Sequence, residues 1–452
     1  MSKARILVPI DSSYKEYQKY KETFVNSPLW DSLTFLVDTG LDGREINSVI
    51  CFDNEYQSYP IDYVKCDAIL NELGFDGTLD QFCIVEFYQN KMLYRSLREH
   101  RADIAKKMVY IYEKMKGLDF DVLLYNAVSH FYPRFVSLVA RFMGKAVYGY
   151  TQSLAPGKEF IWVDDEQFYC SELIERVESN VCELDSDYRL ILNDIKEKKK
   201  KRQYLSPGRK SIKRKIKALF LIRNRMTPRT FTRARIKYWL NKFLFNKLRE
   251  VVWKKASIDD IPTVPYVLFP LHMPGESQTL VRGYPFINDV EVLQQVSLAL
   301  PSEYVLVVKE HPGYEGWKSL KELDVIKSLP NVYLIRSTVS SHDLIESSKA
   351  VVTINSSVWF ESLAFNKPVF TFGRGVFTDS GVTNQVASYT ELREKLNLLQ
   401  VCDESFLPSQ EKVEKFVVAY NDLSMEGKFY DYTGKFTGSF RELIQNKLLA
   451  HL

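Results

Sequence analysis

Three short β-branched runs between Tyr304 and Gly373 constrain this chain more than any other feature. Tyr304-Val-Leu-Val-Val-Lys309, Val332-Tyr-Leu-Ile-Arg336 and Ala350-Val-Val-Thr-Ile354 each lead into a small polar cluster. The clusters are Glu310-His311-Pro312-Gly313, Ser337-Thr-Val-Ser-Ser341 and Asn355-Ser356-Ser357. Helix-length segments lie between them, Trp317–Leu329 and His342–Ser348, and Val358–Phe365 follows the last. Short apolar runs alternating with helices predict a parallel α/β sheet. Ligands of such sheets bind at the carboxyl ends of the strands, where these clusters fall.

The clusters suit a phosphate. Asn355-Ser356-Ser357 stands where a strand gives way to a helix, so backbone N–H groups and two hydroxyls can face an anion. Lys309 and His311 add donors from the neighbouring strand end. Serines that merely cap a helix are the plainer account of Ser356 and Ser357. A charged Lys-Glu-His-Pro directly after a buried strand has no such packing account. A phosphate-bearing ligand is the expectation.

At 452 residues the chain exceeds one ordinary core and predicts two domains with additions. Its six cysteines lack C-x-x-C spacing, which speaks against both a disulfide framework and a zinc site. The amino terminus runs straight into Ile6-Leu-Val-Pro-Ile10 without a signal-peptide pattern, and no apolar run approaches a membrane span. A cytoplasmic protein is expected.

Charge is strongly segregated. Residues 196–255 hold 23 Lys and Arg against two acids, while the whole chain carries only +4. Lys198–Arg202 is a charge run; beyond it Ile212, Ile216 and Phe220, then Trp239 and Phe243, recur among Lys and Arg. Basic amphipathic helices with aromatic residues suit an anionic membrane surface, peripheral on the inner membrane. The alternative is a solvated hairpin between domains. No nucleic-acid-binding motif accompanies the segment, so nucleic acid is not expected as a partner.

The organisation read from the sequence is 1–190 for a first α/β domain, 191–261 for the basic insert, 262–390 for a second α/β domain, and 391–452 for helices packing back on the first. In the first domain Arg5–Ile10, Leu33–Asp38, Ser48–Phe52, Ile84–Phe87, Phe120–Tyr125, Ala146–Tyr150 and Phe160–Val163 read as strands. Asp119-Phe-Asp121 precedes its strand, so it reads as a strand-entry turn and not as a metal-binding D-x-D. Metal is therefore not expected. Strand ends of this domain offer Asp11, His130, Asp164 and Asp165 as candidate bases. Each on its own is also an ordinary turn residue.

A family resemblance rests on an ordered series. Phe269-Pro-Leu-His272, Glu276, Val307-Val-Lys-Glu-His-Pro312, Thr353-Ile-Asn-Ser-Ser357, Glu361-Ser-Leu-Ala, Lys367-Pro-Val and Phe372-Gly373 together resemble the capsular polysaccharide biosynthesis proteins, Kdo transferases among them. The resemblance covers roughly 265–375, and implies a GT-B fold: two Rossmann-like domains facing a cleft, with the basic helical insert between them. It implies a glycosyltransferase taking a CMP-, UDP- or GDP-sugar to a glycan or lipid-linked glycan acceptor. No other cofactor is implied. His272, Glu276, Lys309, Glu310, His311, Pro312, Asn355, Ser356, Ser357, Glu361 and Gly373 are then the donor-binding candidates, with His311 at the donor phosphate and contributing to catalysis. A nucleotide-sugar epimerase of the same architecture, and a non-catalytic capsule assembly factor, are the alternatives.

Overall fold

The structure is a computed structural model and describes residues 5–10, 14–26, 29–37, 49–51, 54–89, 97–126, 130–165, 167–179, 188–201, 248–311, 314–398, 406–426 and 438–448. The chain forms two compact units. One joins Met1–Leu184 to Lys415–Leu452, and the other is Asp185–Glu414. The expected boundaries thus shift in two places. The basic segment groups with the second unit, and the carboxyl-terminal residues divide, with the Tyr389–Leu398 helix in the second unit and everything from Lys415 in the first.

Unit 1 is built on β1 (Ile6–Ile10), β2 (Leu33–Val37), β3 (Val49–Cys51), β4 (Val122–Asn126), β5 (Ala146–Gln152) and β6 (Lys158–Val163). Their spatial order is β3-β2-β1-β4-β5-β6, with the strand Ser424–Glu426 on the outer edge of β6. The first five are parallel, which is the 3-2-1-4-5 order of a Rossmann half. β6 returns antiparallel to β5, and Ser424–Glu426 is antiparallel to β6. A core of Ile6, Val8, Ile10, Val122 and Leu124 meets the Tyr14–Phe24 helix through Tyr17, Tyr20 and Phe24. The Gly438–Leu448 helix completes it. Phe440 lies 5.5 Å from the Tyr150 ring and 5.6 Å from Phe160, with Ile444 and Leu448 fully buried beside it.

One expected strand is a helix. Ile84–Phe87 falls inside the helix Leu79–Gln89. Its buried positions Leu79, Phe82 and Cys83 recur at helical spacing. Phe82 packs edge-on to Phe131 and Phe135 of the Phe131–Phe142 helix, a tertiary demand that outweighs the β-branched look of the run. The Asp119/Asp121 pair does enter a strand: both carboxylates engage Arg5 at the amino end of β1.

Unit 2 is built on β7 (Tyr266–Pro270), β8 (Val305–Lys309), β9 (Val332–Ile335), β10 (Ala350–Thr353), β11 (Val369–Thr371) and β12 (Asn384–Gln385). The order β9-β8-β7-β10-β11-β12 is wholly parallel and repeats the Rossmann order. Its α/β class and two Rossmann-like sheets agree with the expectation from sequence. The strands are buried on both faces, which is why they read as unbroken β-branched runs. Helix starts follow ordinary capping chemistry. Ser319 makes a capping box with Glu322, Asn288 accepts from the Val290 amide, and Ser340 accepts from the Asp343 amide.

A helix over 248–256 ends the basic segment. Trp253 enters the unit 2 core, while Leu248, Val251 and Val252 face outward, each more than two-fifths exposed. The rest of the segment, 202–247, with Ile212, Ile216, Phe220, Trp239 and Phe243, lies outside the described residues. No described helix is long and apolar enough to cross a membrane.

Candidate functional site

In unit 2 the chain reverses its winding at β7, which has β8 on one side and β10 on the other. The crevice at their carboxyl ends is the switch point where open α/β sheets hold ligands. The loops after β7, β8 and β10 bring together His272, Glu276, Glu310, His311, Asn355, Ser356 and Ser357. Sequence spacing had placed all of these at strand ends.

The geometry reassigns several of them. The Asn355 amide donates to His272 Nε2 at 3.2 Å, the Ser356 amide to Thr353 Oγ1 at 3.0 Å, and the Asn355 side-chain amide to the Arg374 carbonyl. The expected cradle of free N–H groups is therefore spent inside the protein at Asn355 and Ser356. Ser356 Oγ accepts from the Val358 amide at 3.4 Å, whereas Ser357, the N-cap residue, makes no side-chain capping bond and is exposed. The Lys309 ammonium is buried and donates to the Ser337 carbonyl, which ties it to the loop after β9. His311 is exposed at the end of β8, in edge contact with Tyr314, which in turn meets Trp317.

Gly373 serves packing. A Cβ there would sit 2.8 Å from the Ile354 carbonyl and 2.9 Å from that of Arg282, so only glycine lets the loop after β11 lie on the end of β10. Glu361 is buried in the Val358–Ala364 helix, 3.5 Å from His342. Asp11 and Pro312 lie outside the described residues.

Burial sets the protonation of the cluster. His272 is 3 % exposed, and that burial pushes its imidazole down to about 4, helped by Lys318 and His311 and opposed by Asp289. Glu310, 2 % exposed, is pushed up to about 8 by burial despite the nearby Lys318 ammonium. Its Oε1 accepts from the His311 amide at 2.9 Å, and Oε2 has no partner among the described residues. Half-buried Glu276 is pushed up to about 7 for the same reason. Burial thus favours the neutral, protonated form of both carboxyls. This resolves an apparent conflict, because a neutral carboxyl beside an anion donates where a carboxylate would repel.

Two residues in this network carried no sequence signal of a site. Lys318 and Asp289 form a buried ion pair at 2.7 Å, 29 positions apart. Burial alone would raise the Asp289 carboxyl, but Lys318, His272 and two hydrogen bonds hold it below the usual range. Each residue stands beside or within a helical segment, where a lone charge reads as a solvated face.

In unit 1, His130 opens the Phe131–Phe142 helix at the carboxyl end of β4, beside β1, so it keeps its place at that sheet's switch point. Asp164 and Asp165 do not. Because β6 is antiparallel, they lie at the amino-end edge of the parallel strands, where Asp164 accepts from the Ser171 amide and Asp165 from those of Gln167 and Tyr169. They are turn residues, and the expected carboxyl-edge position is withdrawn.

Residues 193–401 match the sequence model of the family described as capsule polysaccharide biosynthesis protein. The capsule polysaccharide export protein KpsS of Escherichia coli is 34 % identical over 131 residues, which cover 26 % of this chain and 33 % of that protein. The match thus spans about a third of the relative's length. The resemblance to capsular polysaccharide biosynthesis proteins read from the sequence is borne out. Among solved structures, the Thermosulfurimonas dismutans KpsC β-Kdo 2,7-transferase aligns over 83 % of this chain and 98 % of its own at 12 % identity and a TM-score of 0.33. The Neisseria meningitidis UDP-GlcNAc 2-epimerase, bound to UDP-GlcNAc, aligns over 98 % and 100 % at 12 % identity and a TM-score of 0.29. At these scores neither likeness carries an argument, and the fold rests on the two strand orders.

Proposed function

We propose that this chain is a glycosyltransferase of capsule or surface-polysaccharide assembly, moving a sugar from a nucleotide-activated donor to a glycan acceptor. One observation carries the reading: the region matching the capsule family model contains the whole β7–β8–β10 switch point with its phosphate-suited groups. The acceptor hydroxyl attacks the anomeric carbon, the bond to the nucleotide phosphate breaks, and the acceptor proton passes to a base. His311, the Ser357 hydroxyl and the neutral carboxyls of Glu276 and Glu310 are donors for the charge that develops on the departing phosphate. His130 is the described base candidate that keeps a carboxyl-edge position. No step here calls on a metal.

The test is a panel of CMP, UDP and GDP in calorimetry, followed by labelled donors offered with a glycan acceptor. Label in the glycan supports transfer, and an isomerised free nucleotide sugar replaces this reading with an epimerase. Similarity to the E. coli capsule polysaccharide export protein favours a second reading: a capsule assembly factor that binds polysaccharide without chemistry. Failure of all three nucleotides to bind selects it.

The same proposal places the protein peripherally on the cytoplasmic leaflet. Supporting this are the basic segment 196–255 and, at its described end, the outward strip Leu248, Val251 and Val252 with Lys255 one turn further on.

A further inference from the structure

We propose that Lys318 and Asp289 are positioning residues. Together they hold His272 as the Nδ1–H tautomer, so that its ring locks the loop after β7 to the turn after β10. The word "positioning" rests on the crevice being the ligand site proposed above; the lock itself does not.

An ammonium has three protons, and Lys318 Nζ has three acceptors: Asp289 Oδ1 at 2.9 Å, Asp289 Oδ2 at 2.7 Å and the His272 carbonyl at 3.2 Å. Asp289 Oδ2 also accepts from the His272 amide at 2.9 Å. Both backbone groups of residue 272 are thereby fixed, one by each partner of the ion pair. Lys318 sits immediately before the Ser319 cap of the Leu320–Ser328 helix, and Asp289 opens the Asp289–Ala299 helix. The residue is thus pinned from two separate elements.

What that backbone presents is the imidazole. A backbone amide can only donate, so the bond from Asn355 N–H to Nε2 requires a lone pair at Nε2. The neutral ring then carries its proton on Nδ1. That nitrogen is buried with no partner among the described residues, so it does not itself fix the ring. Beyond the Asn355 bond at Nε2, the ring is held through its backbone, by Lys318 and Asp289. The pair has no net charge. Asp289 and Lys318 act on the ring's protonation in opposite senses, and burial keeps it neutral.

An ion pair sealed from water is weak evidence for stability, since apolar residues of similar volume often serve as well. Its place here has a better account. It bridges the β7 loop to two helices, and the β7 loop caps the turn that leads to Ser356 and Ser357. The turn after β10 then keeps one orientation relative to β7.

The experiment reads the His272 ring directly. The chain has six histidines, so long-range 1H–15N correlation spectra are tractable. In the wild type at about pH 6, His272 should be neutral with its proton on Nδ1, and the Asn355 amide should be protected from exchange. Lys318→Met should lose the single tautomer and exchange Asn355 at least about tenfold faster. Asp289→Asn, which keeps an acceptor for the His272 amide, should retain more of both. Affinities for inorganic phosphate and for CMP, UDP and GDP should follow the same ranking. A wild-type ring that is protonated, or that carries its proton on Nε2, overturns the proposal, and this measurement needs no variant to fold. A folded Lys318→Met with unchanged tautomer and protection overturns it as well. If the wild type binds no nucleotide while the tautomer result holds, the functional reading fails and the lock stands.

Discussion

Gly316 lies so close to the backbone of Glu250 that a Cβ would meet the Glu250 nitrogen at 2.4 Å and its Cα at 2.6 Å. Gly316 also has a φ of +76°, where a side chain is strained whatever the space. The stretch from Tyr314 to Lys318 is thus seated directly on the helix over 248–256. Gly316→Ala should cost about 2–4 kcal/mol, from strain and from a collision with backbone that cannot yield. Denaturant unfolding of the full chain reads this; a loss below about 0.5 kcal/mol would show that the loop moves aside at little cost.

The Glu310 carboxyl gives stability a pH dependence of known sign. Burial raises it from 4.5 to about 8, so the folded state binds this proton more tightly than the unfolded. Its contribution is complete below the unfolded value and is lost as pH rises toward 8. Glu310→Gln never ionises and escapes that loss. Its melting temperature relative to wild type should therefore climb between about pH 5 and about pH 8.5. A constant difference across that range would place an ordinary, ionised carboxylate at this position.

His311 is exposed, so its substitution separates function from folding. His311→Ala should lower kcat/KM by about 100-fold, as removal of a donor to a developing oxyanion does, with little change in melting temperature. Activity within a few-fold of wild type excludes the role.

The two serines after β10 should part company. Ser356 Oγ accepts from the first amide of the following helix, so Ser356→Ala should destabilise by about 0.5–1.5 kcal/mol. The Ser357 hydroxyl makes no capping bond, so Ser357→Ala should weaken nucleotide binding and leave stability alone. Equal stability losses at both positions would remove the ligand role from Ser357.

Membrane docking makes a two-part demand. Capture on anionic vesicles should fall with salt, because the attraction of the basic segment is Coulombic and screened. Serine at Leu248, Val251 and Val252 should remove the part that survives high salt. Co-sedimentation measures both, and equal capture on neutral and anionic vesicles would rule out the electrostatic part.

The sheet of unit 2 was legible because parallel strands buried on both faces show as bare runs of Val, Ile and Leu. The direction of β6 is also open to inference from chain length. Only nine residues separate Tyr150 from Phe160, too few for the crossover a parallel pair requires, so Asp164 had to fall at the opposite edge. For Lys318 and Asp289 no such clue exists. Their pairing depends on two helix starts converging beneath His272, and nothing in periodicity or spacing encodes that meeting. Likewise, the occupation of the Asn355 amide by His272 is a consequence of neighbouring strand ends, which local motif reading cannot see.

The interrupted course of unit 1 has a consequence for how the protein is made. Phe440, Ile444 and Leu448 fill the same core as Ile6 and Tyr150, yet the ribosome delivers them only after all of Asp185–Glu414 has emerged. Until then the aromatic faces of Phe24, Tyr150 and Phe160 lack Phe440 as a neighbour. The nascent first unit is therefore a client for whatever shields exposed apolar surface in the cell, while the second can close during synthesis.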